Sequence, residues 1–231
     1  MAITRDDLLN DSLRQRLRDE AAQGKPNPLL SEEVFQASLA NTLEQFEQHD
    51  ELWVFGYGSL IWNPTFNYVR EEIAHLPGHE RRFCLWAESG RGSPETPGLW
   101  LALDTSAPET HCTGLAFQID NAHRENELLL LWRREMVTGA YAPAIRQFDI
   151  AGQTRACLCL LANKDHRRYA GLLPHEQVVE AIALAEGHLG TCREYLFNLV
   201  NKLSSLGVPD QPMHRLTEQV GAYRAARSLT A

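Results

Sequence analysis

The chain has 231 residues, of which 44% are apolar and 23% charged, and its net charge at pH 7 is −8. This length allows one core of ordinary size or two small domains. The negative charge disfavours nucleic acid and anionic membranes as partners, because both bind proteins through cationic surfaces. No apolar run approaches the roughly 20 residues that span a bilayer. The first residues also lack the apolar stretch of a signal peptide, so we expect a cytoplasmic protein.

The first 50 residues predict helices. Leucines at near-helical spacing predict one helix over residues 6–22, and residues 24–28, which contain Gly and two Pro, break it. Ser31 is the expected N-cap of a second helix that runs to about residue 48. Both apolar stripes are too thin for a separate core. We therefore predict an N-terminal helical extension over residues 1–50 and a catalytic domain over residues 51–231.

The pattern changes at Leu52, where a short apolar run ending in glycine indicates a buried strand. Pro77-Gly78 and Ala151-Gly152 predict turns. Residues 88–98 form a polar loop rich in Gly, Pro and Ser, which is typical of a lid or a substrate contact. Six further strands are expected after the first, at residues 67–76, 79–87, 98–104, 111–119, 142–150 and 154–162.

A mid-chain helix is predicted over residues 122–136, with Asp120 or Asn121 as its cap and Leu128, Leu129 and Trp132 on its buried side. Three helices follow, at residues 176–186, 191–206 and 214–227. Strands followed and preceded by helices predict the α+β class, with a curled sheet or small barrel surrounded by helices. The basic cluster at residues 166–168 is interpreted as a solvated loop.

The cysteines do not predict a disulfide framework, because their number is odd and the chain is not small. Cys157 and Cys159 would face the same side of a strand, as two small buried hydrophobic residues. His75 and His79 are separated by a Pro-Gly turn and cannot share a helix face, so we predict no metal site. The five cysteines are Cys84, Cys112, Cys157, Cys159 and Cys192.

Two local features could carry chemistry. The first is the loop Gly56-Tyr57-Gly58-Ser59, directly after the first predicted strand. Its glycines would let backbone N–H groups approach an anionic ligand, although a tight turn explains the same pattern. The second feature is Glu135, at the end of the mid-chain helix. It is either a solvated carboxylate paired with a neighbouring Arg, or a base in a cleft whose pKa is raised by desolvation.

Together these residues resemble the ChaC-type γ-glutamylcyclotransferases. The similarity covers about residues 52–206, and its first element is the segment from Val54 to Pro64. Four later elements follow in the same order: Gly78 with Arg81-Arg82-Phe83, Arg91-Gly92 to Pro97-Gly98, Arg134-Glu135 with Gly139-Ala140-Tyr141, and Gly190-x-Cys192-Arg193-x-Tyr195-Leu196-x-Asn198. The chain departs from the family in the insertion Met136-Val137-Thr138 and in Ala140, which stands where the family has glycine.

The resemblance implies a small mixed β-barrel with flanking helices and an enzyme that acts on glutathione. The α-amine of glutathione attacks the γ-carbonyl of the same molecule, which releases 5-oxoproline and Cys-Gly. This is a carbon–nitrogen lyase reaction of class EC 4.3.2. Glu135 is the expected general base. The expected substrate-binding residues are Val54, Phe55, Gly56, Tyr57, Gly58, Ser59 and Tyr141. No cofactor is expected, because nothing is oxidised or phosphorylated.

Two alternatives remain at this point. The same chemistry could serve other γ-glutamyl amino acids or amines, and a non-catalytic regulatory or binding protein could retain the fold. Arg82 could meet a substrate carboxylate or pair with an acidic neighbour. The sequence does not define the oligomeric state.

Overall fold

The computed structural model describes residues 3–23 and 29–228. The predicted break at residues 24–28 lies outside this range. The helices are α1 Arg5–Leu9, α2 Ser12–Ala22, α3 Glu32–Phe46, α4 Arg124–Glu135, α5 His175–Leu184, α6 Cys192–Ser205 and α7 Gln211–Ser228. The strands are β1 Leu52–Gly56, β2 Arg70–Pro77, β3 His79–Ala87, β4 Gly98–Thr105, β5 His111–Ile119, β6 Tyr141–Ile150 and β7 Gln153–Ala162, with a two-stranded ribbon β8 Glu186–Gly187 and β9 Gly190–Thr191.

Five strands close into a barrel in the order β1-β5-β2-β6-β7, and β7 returns to β1. Four of the pairings are antiparallel, and the β1–β7 pairing is parallel, with Val54 opposite Leu158. Strand β4 adds to β7 in parallel, and β3 pairs with β4 at the edge. The predicted mixed barrel with flanking helices is thereby confirmed.

The direction of the strands determines which residues meet at one end of the barrel. Because β1 and β7 are parallel, Gly56 and Ala162 finish at the same end. Strand β6 begins there, since Tyr141 pairs with Ala162. A 3₁₀ turn at Ser59–Ile61 follows β1 at this end. The barrel therefore brings the loop after β1 close to the start of β6.

The predicted helix over residues 6–22 is divided into α1 and α2. Asn10 caps α1, and Asp11 has a left-handed φ of 53° before α2 begins at Ser12. A side-chain network fixes the break, since Asp11 lies 3.9 Å from Arg14 and 3.7 Å from Arg133. Arg14 also stacks on Phe35 at 4.2 Å and donates to Glu32 at 2.8 Å. Tertiary contacts therefore override the leucine spacing that predicted one helix.

Helix α4 follows a 3₁₀ turn that Asp120 caps through the amide of Ala122. Leu128 and Trp132 are buried as predicted, whereas Leu129 is only half-buried. Helices α5, α6 and α7 pack on one another. All five cysteines are free thiols in the interior, and the predicted burial of Cys157 and Cys159 is confirmed. No helix of the described residues has the length and apolar character needed to cross a membrane. The division at residue 50 stays a prediction.

Candidate active site

A cavity of about 200 Å³ opens at the barrel end where β1 finishes and β6 begins. The loop after β1 contributes Ser59, Trp62 and Asn63, and α4 contributes Arg134 and Glu135. Further walls come from Trp100 of β4, Tyr141 of β6, Tyr195 of α6 and the segment 89–91. Within the described residues, four arginines and one glutamate line the cavity, in a protein whose net charge is negative. The cavity is thus locally cationic.

Glu135 is the last residue of α4, and its side chain retains only 17% of its exposure. Burial raises the pKa of Glu135, and the nearby Arg134 partly opposes that rise. Burial is the larger effect because an ionised carboxylate loses more hydration here than one guanidinium replaces. A carboxylate with a raised pKa accepts a proton more readily near neutral pH. Glu135 is therefore both paired with an Arg and placed in a cleft.

Arg134 connects this carboxylate to the loop after β1. Its Nε lies 2.9 Å from Glu135 Oε1, and its Nη2 donates to Ser59 Oγ at 2.8 Å. Its Nη1 donates to the carbonyl of Asn63 and to Thr65 Oγ1, the latter at 3.2 Å. Thr65 has a left-handed φ of 61°, which is costly for a β-branched residue. One buried guanidinium thus fixes the distance between Glu135 and the loop.

Burial raises the pKa of Tyr57, Tyr141 and Tyr195, that of Tyr195 to about 12, and the Glu135 charge adds to the rise in each. Tyr57 donates its hydroxyl to the Leu160 carbonyl at 2.8 Å, and Tyr141 donates to the Leu101 carbonyl at 2.9 Å. The Tyr195 hydroxyl instead accepts from the Ser59 amide at 3.2 Å. All three phenols therefore stay neutral at physiological pH.

The structure distributes the predicted site residues over two layers. Ser59, Glu135 and Tyr141 line the cavity. Behind them, Tyr57 is buried in the core. Its neighbours along the chain are buried as well: Val54, Phe55, Gly56 and Gly58. The substrate-binding roles of all these residues stay predictions.

Close packing explains the two glycines of this loop. A Cβ on Gly58 would lie 2.5 Å from the Tyr195 hydroxyl, and a Cβ on Gly56 would lie 2.9 Å from the Phe117 ring. Neither glycine has a positive φ, so backbone conformation does not require them. The glycines therefore bring the β1 loop against α6 and β5.

Sequence reasoning left several lining residues without a role. In the sequence, Tyr195 and Arg134 belong to family motifs but carry no predicted role, although the position of Arg134 beside Glu135 is a signal. The interpretation of residues 166–168 as a solvated loop is wrong for Arg168, which is 5% exposed and lines the cavity. Arg82 pairs with Glu80 and, at 2.8 Å, with Asp104, and so takes the acidic-neighbour alternative.

The N-terminal extension also reaches the cavity. Ile3, Leu13, Arg16 and Leu17 lie in its wall. Three contacts hold the extension there. Arg5 binds Glu127 through two bonds of 2.6 and 2.7 Å. The side-chain amide of Asn63 donates to the Ile3 carbonyl at 2.9 Å, and the Arg133 guanidinium donates to the Leu8 carbonyl at 2.8 Å.

A desolvated carboxylate in a cationic cavity is chemically suited to an anionic ligand and to a proton transfer. The model of the ChaC-like protein family matches residues 52–223 of the chain. The chain therefore belongs to the ChaC-like family.

Curated relatives extend this assignment. The glutathione-specific gamma-glutamylcyclotransferase of Escherichia coli K12 is 36% identical over 219 residues, which cover 94% of this chain and 92% of that protein. The glutathione-specific gamma-glutamylcyclotransferase 1 of Homo sapiens is 32% identical over 180 residues, or 74% of this chain and 79% of that protein. A match over 94% of the chain must include most of residues 1–50.

The fold is similar to that of a solved structure. The crystal structure of the yeast gamma-glutamyl cyclotransferase specific to glutathione, in its selenomethionine-labelled form, superposes with a TM-score of 0.69. It is 21% identical in sequence and covers 75% of this chain and 96% of the yeast chain. At this identity the superposition supports the fold alone.

Proposed function

We propose that the protein cleaves glutathione by intramolecular cyclisation to 5-oxoproline and Cys-Gly, with Glu135 as the general base. The observation that carries the proposal is the placement of Glu135, a carboxylate with a raised pKa in the wall of a cationic cavity. Family membership and the names of the relatives support the same activity. We also propose that the protein works in the cytoplasm, where reduced thiols such as its five cysteines are the rule.

The chemistry requires two protons to move from the attacking nitrogen to the leaving nitrogen. The α-ammonium group of the γ-glutamyl residue transfers a proton to the Glu135 carboxylate and becomes a nucleophilic amine. The amine attacks the γ-carbonyl carbon, the new C–N bond closes a five-membered lactam, and the old C–N bond to cysteine breaks. Protonated Glu135 then gives this proton to the departing nitrogen of Cys-Gly. The regenerated carboxylate takes up the second proton, which the attacking nitrogen loses as it becomes the lactam N–H, and passes it to the released amine to form an ammonium group. Acid–base assistance of this kind contributes about 10²–10⁴-fold to the rate.

The surroundings of Glu135 suit both halves of this transfer. Burial makes the carboxylate a stronger base, and Arg134 keeps enough of it ionised to accept the first proton. Ser59 lies within the same hydrogen-bonded group, because Arg134 binds its hydroxyl at 2.8 Å. Ser59 and Tyr141 line the same cavity as Glu135, which supports the proposal that they contact the γ-glutamyl end. Holding the glutamyl chain in a folded conformer adds a proximity effect to the rate.

The first test is to incubate the purified protein with glutathione and to measure both 5-oxoproline and Cys-Gly. We expect equimolar products. We expect Glu135→Gln to lower kcat by about 10²–10⁴-fold, because an amide keeps the shape but cannot accept the proton. Glu125→Gln is the matched control, since Glu125 is an exposed glutamate on the same helix. Full turnover by Glu135→Gln would show that another group is the base.

The alternatives give different results in the same assay. Faster turnover of γ-glutamyl-alanine or a γ-glutamyl amine than of glutathione would favour the broader cyclotransferase. Absence of 5-oxoproline from every substrate of this panel would favour a non-catalytic binding protein.

A further inference from the structure

We propose that helix α2 of the N-terminal extension completes the substrate site, with Arg16 binding the carboxylate at the glycine end of glutathione. This inference rests on the proposed function, and it assigns the extension a part in substrate specificity.

The spacing of the lining residues on α2 shows that one face of this helix points into the cavity. Leu13, Arg16 and Leu17 are related as i, i+3 and i+4, so they lie on the same side of the helix. Leu17 is buried there, while Arg16 is exposed. The neighbouring Arg14 and Arg18 point elsewhere and bind Glu32 of α3. Helix α2 thus offers the cavity two apolar side chains and one cation.

The extension is held in this position by bonds to the helix that carries Glu135. Arg133 donates to the carbonyls of Leu8 and Leu9 at 2.8 and 3.0 Å, and it lies two residues before Glu135. Arg5 is bound to Glu127, also on α4. The loop after β1 makes a further contact through Asn63 and Ile3. These bonds fix α1, and Asp11, directly before α2, lies 3.7 Å from Arg133 as well. The start of α2 is thereby connected to the helix that carries the carboxylate.

The arginines of the cavity differ in the contacts they make. Arg134 is committed to Glu135 and the β1 loop. Arg91 donates to the Thr191 carbonyl at 2.7 Å and stacks on Tyr195, and Arg168 is buried. No described side chain lies within salt-bridge distance of Arg16, whose charge acts on the exposed Asp7 over a longer distance. It is therefore the cation of the cavity wall that is most accessible to an incoming anion.

The chemistry of the substrate matches this arrangement. Its γ-glutamyl end must lie at Glu135, so the Cys-Gly end points away and ends in a carboxylate. Two extended residues span about 7 Å, which places this charge beyond the subsite of the reacting end. Arginine binds carboxylates through two parallel hydrogen bonds, and such charge-assisted bonds are stronger than neutral ones. Arg16 would thereby distinguish glutathione from γ-glutamyl compounds with no terminal charge.

The test compares two substrates in three proteins, with Arg16→Lys as an additional rescue variant. The substrates are glutathione and its glycine amide, in which the terminal carboxylate is neutral. The proteins are wild type, Arg16→Gln and the matched control Arg18→Gln, which removes the same charge from the same helix outside the cavity. We expect Arg16→Gln to raise KM for glutathione about tenfold and to change kcat less than twofold. KM for the glycine amide should be the same in all three proteins, and Arg16→Lys should restore part of the affinity for glutathione.

The outcomes separate this inference from the proposed function. If wild type converts glutathione and Arg16→Gln has an unchanged KM, the role of Arg16 is refuted and the activity stands. Equal increases of KM for glutathione and for its glycine amide would also refute it, because a general loosening of α2 would affect both substrates. If wild type releases no 5-oxoproline from glutathione, the proposed function fails and this inference fails with it.

Discussion

Replacement of Arg134 by Met should change the pH dependence of catalysis as well as its rate. Arg134 is the cation that opposes the upward effect of burial on the pKa of Glu135, so its loss raises that pKa further. A hydrogen bond to a charged group contributes about 1.5–3 kcal/mol. If the ionised Glu135 carboxylate loses this stabilisation, kcat/KM at pH 7 should decrease about ten- to a hundredfold. Because a base must be ionised to act, the acid limb of the profile should move to higher pH, and raising the pH should recover part of the rate.

Stability should fall in the same variant, within a limit set by protonation. Arg134 retains 5% of its side-chain exposure, so its removal leaves the Glu135 carboxylate with poor solvation. The carboxyl group can avoid this poor solvation by taking up a proton. At pH 7, protonating a carboxylate of ordinary pKa requires about 3–4 kcal/mol. This limits the loss of unfolding free energy from the ion pair. The unfolding free energy should recover as the pH falls from the raised pKa of Glu135 in the folded protein towards its pKa in the unfolded chain.

The assay is a series of kcat/KM values for glutathione over pH, with urea unfolding at the same pH values. Ser59→Ala is the control, because it removes the 2.8 Å contact of Arg134 with the loop and keeps the 2.9 Å contact with Glu135. Its acid limb should stay where wild type has it. An unshifted acid limb in Arg134→Met would refute the electrostatic role and leave Arg134 as a structural clamp.

Two further predictions concern stability. Because burial raises the pKa of Glu135 above 4.5, the ionised carboxylate destabilises the folded state. Glu135→Gln should therefore melt above wild type at pH 7, with a gap that closes as the pH falls towards 4.5; a lower Tm at pH 7 would contradict this. At the β6–β7 turn, Ala151 and Gly152 have φ values of 51° and 77°, where Asn-Gly is preferred. Ala151→Asn should raise the urea-unfolding free energy by about 0.5–1 kcal/mol with unchanged kcat/KM, and equal or lower stability would refute the strain argument.

Local patterns predicted most of the elements, because they depend on near neighbours. The strand after Leu52, the cap at Ser31 and the turn at Gly78 are all found in the structure. The ordered motifs around the Gly56 loop and Glu135 indicated the family, and the fold brings Ser59 and Glu135 together through Arg134.

Contacts between distant parts of the chain were not predictable in this way. Arg168 lies in a polar segment, yet its carbonyl accepts from the Trp86 amide at 2.8 Å and Tyr169 forms a bridge with Leu85. These bonds add the segment to the edge strand β3 and bury its arginine. The break at Asp11 likewise depends on Arg133, more than a hundred residues away. Neither effect leaves a periodic signal in the sequence.

The single parallel seam of the barrel has a consequence for biosynthesis. It joins Val54 to Leu158, so a growing chain cannot close the barrel until β7 has left the ribosome. Until then the loop after β1 lacks the strand on which Tyr57 is anchored through the Leu160 carbonyl. Helix α6, which supplies Tyr195 to the cavity, is made later still. The cavity around Glu135 can therefore form only near the end of translation.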